Sequence, residues 1–342
     1  MPREPVTITD VAREAGVSIA TVSQALSGNR PVSPRTAQRV REVVAQLGYV
    51  PVSSARNLRA GRTGVIGLVI PDISNTFFGR LARGVEDAAH EAGQWVLLCH
   101  TEFEPEREDR YLDLLASRSI DGLVYVAGTV AGPRRMGGLV TTFPVVLADE
   151  DVNGLPGATR VMGDHRCGGR LAALHLAGLG HQRALVVSGP PGISSSDLRL
   201  AGFRESFPDA QVMVGDFTEA SGLELVAQAL AAGTDATAVF ALNDLMAIGA
   251  LRALNDAGLS VPSDVSVVGY DDIPLVDRLQ PPLTTIRQPA YEIGHHAGRL
   301  LIDRLDHHEV EDVVLPVELV VRNSTAAVST GRDPHVESRS RR

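Results

Sequence analysis

Two kinds of apolar periodicity divide this chain near residue 64. Before that point hydrophobic residues recur at helical spacing. Between Thr7 and Gly16, Ile8, Val11, Ala12 and Ala15 fall on one face; Thr7 suits an N-cap, Asp10 the first turn and Gly16 the stop. Ser18 caps a second run, Ile19 to about Ser27. Ser33 and Pro34 open a third, where Val40, Val43, Val44 and Leu47 share a face before Gly48. Two short helices joined by a glycine-containing turn of about three or four residues form the helix-turn-helix pattern. The second helix of such a pair lies in the major groove, and the third completes a core that two helices cannot supply.

From Val65 the period shortens to apolar strands alternating with amphipathic helices. Strands are predicted at Val65–Ile70, Trp95–Cys99, Gly122–Val126, Val145–Ala148, Ala184–Ser188, Ala238–Leu242 and Val265–Gly269. Helices are predicted near 77–92, 106–118, 166–178, 197–207, 219–232 and 244–257. Such alternation gives parallel sheets covered by helices, with ligands bound beyond the carboxyl ends of the strands. Two sheet lobes facing each other across a cleft fit the 342-residue length. Asp72 and Asp244 are read as helix caps.

Charge sharpens the division. Residues 1–62 hold nine arginines and four acids, a net +5, which leaves −14 on the other 280 residues of a chain carrying −9. A basic head on an acidic body suits a polyanion held by the head alone. All 32 basic residues are arginine, so the chain lacks the lysine of a P-loop, of a pyridoxal Schiff base or of any lysine nucleophile. Cys99 and Cys167 make neither a disulfide framework nor a Cys-x-x-Cys pair and are read as small buried hydrophobes.

The head resembles the lactose-repressor/galactose-repressor (LacI/GalR) family. The resemblance rests on Thr9-Asp-Val-Ala-Arg-Glu-Ala-Gly-Val-Ser-Ile-Ala-Thr-Val-Ser-Gln-Ala-Leu26, on Val32-Ser-Pro-Arg-Thr and on Leu47-Gly-Tyr-Val-Pro51. It continues in the body through Ile70-Pro-Asp-Ile-Ser-Asn-Thr-Phe-Phe78, Arg199-Leu-Ala-Gly-Phe203, Asn243-Asp-Leu-Met-Ala-Ile-Gly-Ala250 and Val268-Gly-Tyr-Asp-Asp272. It implies an all-α helix-turn-helix head (1–50), a hinge (51–63), and a periplasmic-binding-protein-like α/β core (64–327). One lobe of that core is expected at about 64–161 and 290–315, the other at about 162–289 and 316–327. The polar tail, 328–342, is expected to be disordered and has no heptad repeat for a tetramer.

Family positions that read base edges match Ile19, Ala20 and Gln24. Ile19 and Ala20 offer only apolar contact, such as to a thymine methyl, while Gln24 suits adenine where many members carry arginine. Ile19 has core packing as its alternative; Val22 and Leu26 are read as packing. Thr7, Ser18, Thr21, Ser33 and Arg35 are expected on the DNA backbone. In the hinge the resemblance places Leu58 as a minor-groove wedge, Ala55 at the contact between two hinge helices and Arg59 in the minor groove. Without it, 51–63 reads as a basic linker. Val52 stands where the family often has a capping asparagine, leaving Ser53 for that task.

Effector positions match Asn75, Phe77, Phe78, Asp149, Ser195, Arg199, Phe217, Asn243 and Asp271, with loop capping or packing as the alternative for several. Carboxylates, an arginine and amides can bracket sugar hydroxyls, and rings can stack on a sugar's apolar faces. The implied protein is a cytoplasmic, nucleoid-associated homodimeric repressor on a pseudo-palindromic double-stranded DNA operator, controlled by a small molecule, most simply a carbohydrate. It needs no cofactor, metal or membrane. The alternatives are a nucleobase or other non-sugar effector, or a solute-binding protein without regulatory role. The basic head and the absence of a signal-peptide pattern weigh against the last. An enzyme is disfavoured: no Gly-x-Ser-x-Gly elbow is present, and His295-His296 and His307-His308 read as surface residues.

Overall fold

A computed structural model of the chain describes residues 6–27, 32–49, 62–128, 133–152, 155 and 157–328. The chain divides into two units, Met1–Thr63 and Gly64–Arg342. The first holds α1 (Ile8–Ala15), α2 (Ile19–Ser27) and α3 (Pro34–Leu47). Val11, Ala12, Ala15, Val22, Val40 and Val43 form its buried centre. Each helix is punctuated as its sequence suggests. Thr7 and Asp10 close a reciprocal capping box on α1, and Gly16 ends it with φ +66°. Ser18 Oγ accepts from Thr21 N at 3.1 Å, and Ser33 Oγ from Thr36 N at 3.2 Å. Hinge residues Ala55, Leu58 and Arg59 lie outside the described residues.

The second unit carries two six-stranded sheets. The first has the order β11-β5-β4-β3-β1-β2 and the second β12-β10-β9-β8-β6-β7. The strands of the first sheet are β1 (Val65–Ile70), β2 (Trp95–His100), β3 (Gly122–Tyr125), β4 (Val145–Ala148), β5 (Thr159–Gly163) and β11 (Val313–Leu315). Those of the second are β6 (Ala184–Ser188), β7 (Gln211–Val214), β8 (Ala238–Ala241), β9 (Ser266–Asp271), β10 (Thr284–Arg287) and β12 (Glu318–Val320). Every pairing is parallel except β10 with β12. Strands β3, β4, β6, β8 and β9 are buried along their whole length, which explains their unbroken apolar runs.

Helices α4 (Thr76–Glu91), α5 (Pro105–Ala116), α6 (Pro133–Val140) and α11 (Ala290–Leu305) belong to the first lobe. Helices α7 (His165–Gly178), α8 (Ser194–Arg204), α9 (Glu219–Ala231) and α10 (Asp244–Asp256) belong to the second. The chain passes between lobes three times: from β5 into α7, from β10 into α11 and from β11 into β12.

Three helix pairs meet through reciprocal glycines. A Cβ on Gly84 would stand 2.1 Å from the Tyr291 carbonyl, and one on Gly294 1.9 Å from that of Leu81. Gly169 with Gly202 joins α7 to α8, and Gly222 with Gly249 joins α9 to α10, in the same manner. Here backbone touches backbone, so nothing flexible can yield to a methyl group.

The same substitution should therefore have opposite signs within α4. Gly84→Ala is expected to lower unfolding stability by about 3 kcal/mol through overpacking. Gly79→Ala, where a Cβ meets nothing within 4 Å, should raise stability by up to about 1 kcal/mol through helix propensity. Denaturant unfolding of both variants checks the pair.

Candidate ligand cleft and nucleic-acid interface

Loops after the carboxyl ends of strands from both sheets enclose a cavity of about 300 Å³. Pro71, Asp72, Ser74 and Asn75 follow β1, Val126 to Gly128 follow β3, and Asp149 and Glu150 follow β4. From the second lobe come Ser195 after β6, Phe217 after β7, Asn243 after β8 and Asp271 at the end of β9. All nine residues singled out in the sequence as effector positions line this one space. Four of its lining residues, Phe103, Asp149, Phe217 and Asp271, have left-handed backbone, with φ from 58° to 109°. Strained positions of this kind cluster where side chains must be aimed.

Arg199 organises the floor. It is 3% exposed. Its Nη1 donates to the Leu242 carbonyl at 2.6 Å and lies 3.8 Å from Asp271 Oδ1. Its Nε donates to His165 Nδ1 at 3.3 Å, and its guanidinium carbon stands 3.9 Å over the Tyr270 ring. Since His165 Nδ1 accepts, Nε2 is the donor, and it reaches the Asp149 carbonyl at 2.7 Å. That ring is kept neutral: burial, then the charge of Arg199, push its pKa down to about 3. Burial pushes the Asp271 carboxyl up to about 6 against the pull of Arg199. Burial also raises Asp149 and Glu150, which stand side by side.

The lining residues differ in what they still offer a ligand. Asn243 caps α10 through Met246 N at 2.9 Å and donates to the Phe217 carbonyl at 2.8 Å. Asn75 caps α4 through Phe77 N at 3.0 Å. Ser195 donates to Glu150. Asp149 Oδ1, by contrast, is buried without a hydrogen-bond partner among the described residues, with His165 Nε2 3.6 Å away. Phe77 packs edge-on against Phe78 at 5.3 Å.

Two residues read as caps do other work. Asp72 accepts from Ser74 N and Oγ in a tight turn, while Asn75 caps the helix. Asp244 is fully buried, accepting from Thr285 Oγ1 at 2.6 Å and Ile273 N at 2.8 Å, so it ties β10 to the loop after β9. Cys167 is half-buried, unlike buried Cys99. Glu150, His165, Tyr270 and Gln288 complete the cluster without having been singled out. Glu150 follows Asp149 at the same strand end, so strand-end position alone could have found it. Gln288 donates to Asp271 Oδ1 at 2.8 Å across 17 residues of sequence, which no local pattern reports.

In the head, Ile19 is 48% exposed, Ala20 is exposed and Gln24 half-buried, whereas Val22 is fully buried. Ile19 is therefore surface rather than core. Ser18 and Ser33 are exposed at the N-termini of α2 and α3, Arg35 is exposed, and Thr21 is half-buried.

The description of bacterial regulatory proteins of the lacI family matches residues 7–52, and that of the periplasmic binding protein-like domain matches residues 173–325. The HTH-type transcriptional regulator DegA of Bacillus subtilis is 36% identical over 95% of this chain and 99% of its own length. The chain belongs to the LacI family. Among other relatives in that family, the ribose operon repressor of Escherichia coli K12 is 37% identical, covering 87% of this chain and 93% of its own. The lac repressor dimer bound to operator and the anti-inducer ONPF superposes with a TM-score of 0.84 at 30% identity, covering 95% of this chain and all of that one. A LacI family regulator from Enterococcus faecium with bound ribose gives a TM-score of 0.69 at 33% identity over 78% of this chain and all of its own. This LacI-family chain is a DNA-binding transcription regulator, not an enzyme. Among the described residues no helix is long and apolar enough to cross a membrane.

The buried neutral imidazole gives a pH signature. The folded-state pKa of His165 lies below its ordinary value of 6.5. Its stabilising contribution is therefore present above that value and lost as pH falls toward 3. Going from pH 7 to pH 5, wild type should lose about 2 kcal/mol relative to His165→Asn. Parallel denaturant titrations at the two pH values measure this; equal losses in both proteins would exclude a neutral buried His165.

Proposed function

We propose that the chain is a homodimeric transcriptional repressor whose operator affinity is set by a small sugar or sugar derivative held between its lobes. The convergence of Asn75, Phe78, Asp149, Arg199, Phe217 and Asp271 on one cavity carries this reading. Buried carboxylates beside a guanidinium supply the acceptors and donors that sugar hydroxyls need, and the phenyl rings supply apolar faces. The ribose-bound Enterococcus structure and the ribose operon repressors support the ligand class.

On DNA, Ile19 and Ala20 face thymine methyls, and Gln24 reads adenine in each half-site of a pseudo-palindrome. Thr7, Ser18, Thr21, Ser33 and Arg35 position the backbone. Leu58 opens the central base step from the minor groove beside Ala55 and Arg59. Bound effector changes the angle between lobes and hence the support for two hinge segments, each too short to hold a helix alone.

A thermal-shift screen of sugars and nucleobases on the purified full chain identifies the effector, which raises the melting temperature of the state it binds. The ligand found must then change operator affinity by the same factor by which operator changes ligand affinity. Identical ligand affinities with and without operator would refute the switch, and a response to nucleobases alone would replace the sugar. Gln24→Ala should relax preference at one base pair per half-site by about 1–3 kcal/mol, read from binding to a set of single-base operator variants.

A further inference from the structure

Four helices aim their N-termini at the cavity: α4, α8, α9 and α10. A helix N-terminus is a ready anion site, since its first N–H groups lack partners and the dipole favours negative charge. Three of the four are closed by their own caps, Asn75, Thr218 and Asn243. Helix α8 has Ile193 at that position, which offers no side-chain acceptor.

Its donors are met from the other lobe. Glu150, from the end of β4, accepts from Ser194 Oγ at 2.7 Å and Ser195 N at 3.0 Å on Oε2, and from Ser195 Oγ on Oε1. Two hydroxyls and a backbone amide at a helix N-terminus are the donors that a phosphate or carboxylate ligand would use. Glu150 is 6% exposed, so these bonds are shielded from water.

What remains for a ligand is mostly acceptor. Asp149, Glu150 and Asp271 are all buried around the single guanidinium of Arg199, and Asp72 and Glu219 stand at the edge. Among the described residues Asp149 Oδ1 accepts no hydrogen bond, although His165 Nε2 stands 3.6 Å away.

We propose that Glu150 acts as a built-in acceptor: its carboxyl fills the donor cluster at the N-terminus of α8 and restricts the cleft to uncharged, hydroxyl-donating ligands, excluding phosphorylated and carboxylate-bearing ones. This rests on the reading of the cleft as the effector site. It adds a specificity-determining residue outside the set first read from the sequence.

The test is thermal unfolding of the full-length protein titrated with inorganic phosphate, with ionic strength held constant by chloride. Wild type sets the baseline for phosphate held elsewhere, including by the basic head. Glu150→Ala should gain a saturable rise in melting temperature, with phosphate affinity at least about tenfold above that baseline, the worth of a charge-assisted hydrogen bond or more. Glu150→Ser leaves the subsite open with a small polar group. It should show the same gain and covers the case in which the alanine variant does not fold. Variants that respond to phosphate as wild type does would overturn the proposal. So would D-ribose 5-phosphate stabilising wild type more than D-ribose in the same phosphate background. If no neutral sugar stabilised wild type while the variants gained phosphate, the sugar effector would fall and the role of Glu150 would stand.

Discussion

A guanidinium cannot leave water unless other groups take over its solvation, and burying Arg199 imposes that demand on half the cleft. Its planar fork fixes where partners must stand. The Leu242 carbonyl after β8, the Asp271 carboxyl and Tyr270 ring on β9, and the His165 ring at the start of α7 all answer to one group. His165 passes the constraint on, because the nitrogen not facing Arg199 holds the Asp149 carbonyl of the first lobe. A protonated imidazole could accept nothing from Arg199 and would repel it. The neutral tautomer is therefore a structural requirement as well as a consequence of burial.

The two sheets share a strand order in which the first strand of each lies inside, and their carboxyl ends face one cavity. Within a lobe, the close helix contacts at glycines leave little room for repacking. Between lobes, besides the three chain crossings, the loop 149–151 reaches over to the second lobe. Asp151 N donates to Ser194 Oγ at 2.7 Å, Glu150 caps α8, and Asp149 meets His165. A change in lobe angle must strain or break these bonds.

Much of this was legible in the sequence because it is encoded locally. Caps such as Thr7, Ser18 and Ser33 lie within three residues of the amides they serve, and the central parallel strands are continuous apolar runs. The weaker strands were not legible. Burial alternates along β5, β7 is largely open to solvent, and β11 and β12 have three residues each. Helix α8 begins at Ser194 rather than near 197, because its cap is 45 residues distant in sequence. Asp244 looked like a cap because it sits in a first turn, yet its carboxylate turns inward to Thr285 and Ile273. Only tertiary structure decides between those uses. The lining residues were found through family resemblance and strand-end position. Neither could distinguish Asn243, whose amide already bonds on both sides, from Asp149, whose Oδ1 does not.

That distinction bears on how a regulator of this architecture discriminates among small molecules. An apolar wall separates ligands only weakly by size, whereas a buried polar atom that needs a particular partner separates them strongly. Asp149 Oδ1 accepts and cannot donate while ionised, so it favours a hydroxyl and opposes an oxyanion. Its raised pKa makes it more adaptable than a surface aspartate, since a partly protonated carboxyl can also donate to an ether or ring oxygen. The flanking Glu150 removes the donors that would otherwise reward negative charge. On the proposed reading, charge selection in the cleft comes from where the chain has already satisfied itself, and hydroxyl recognition from where it has not.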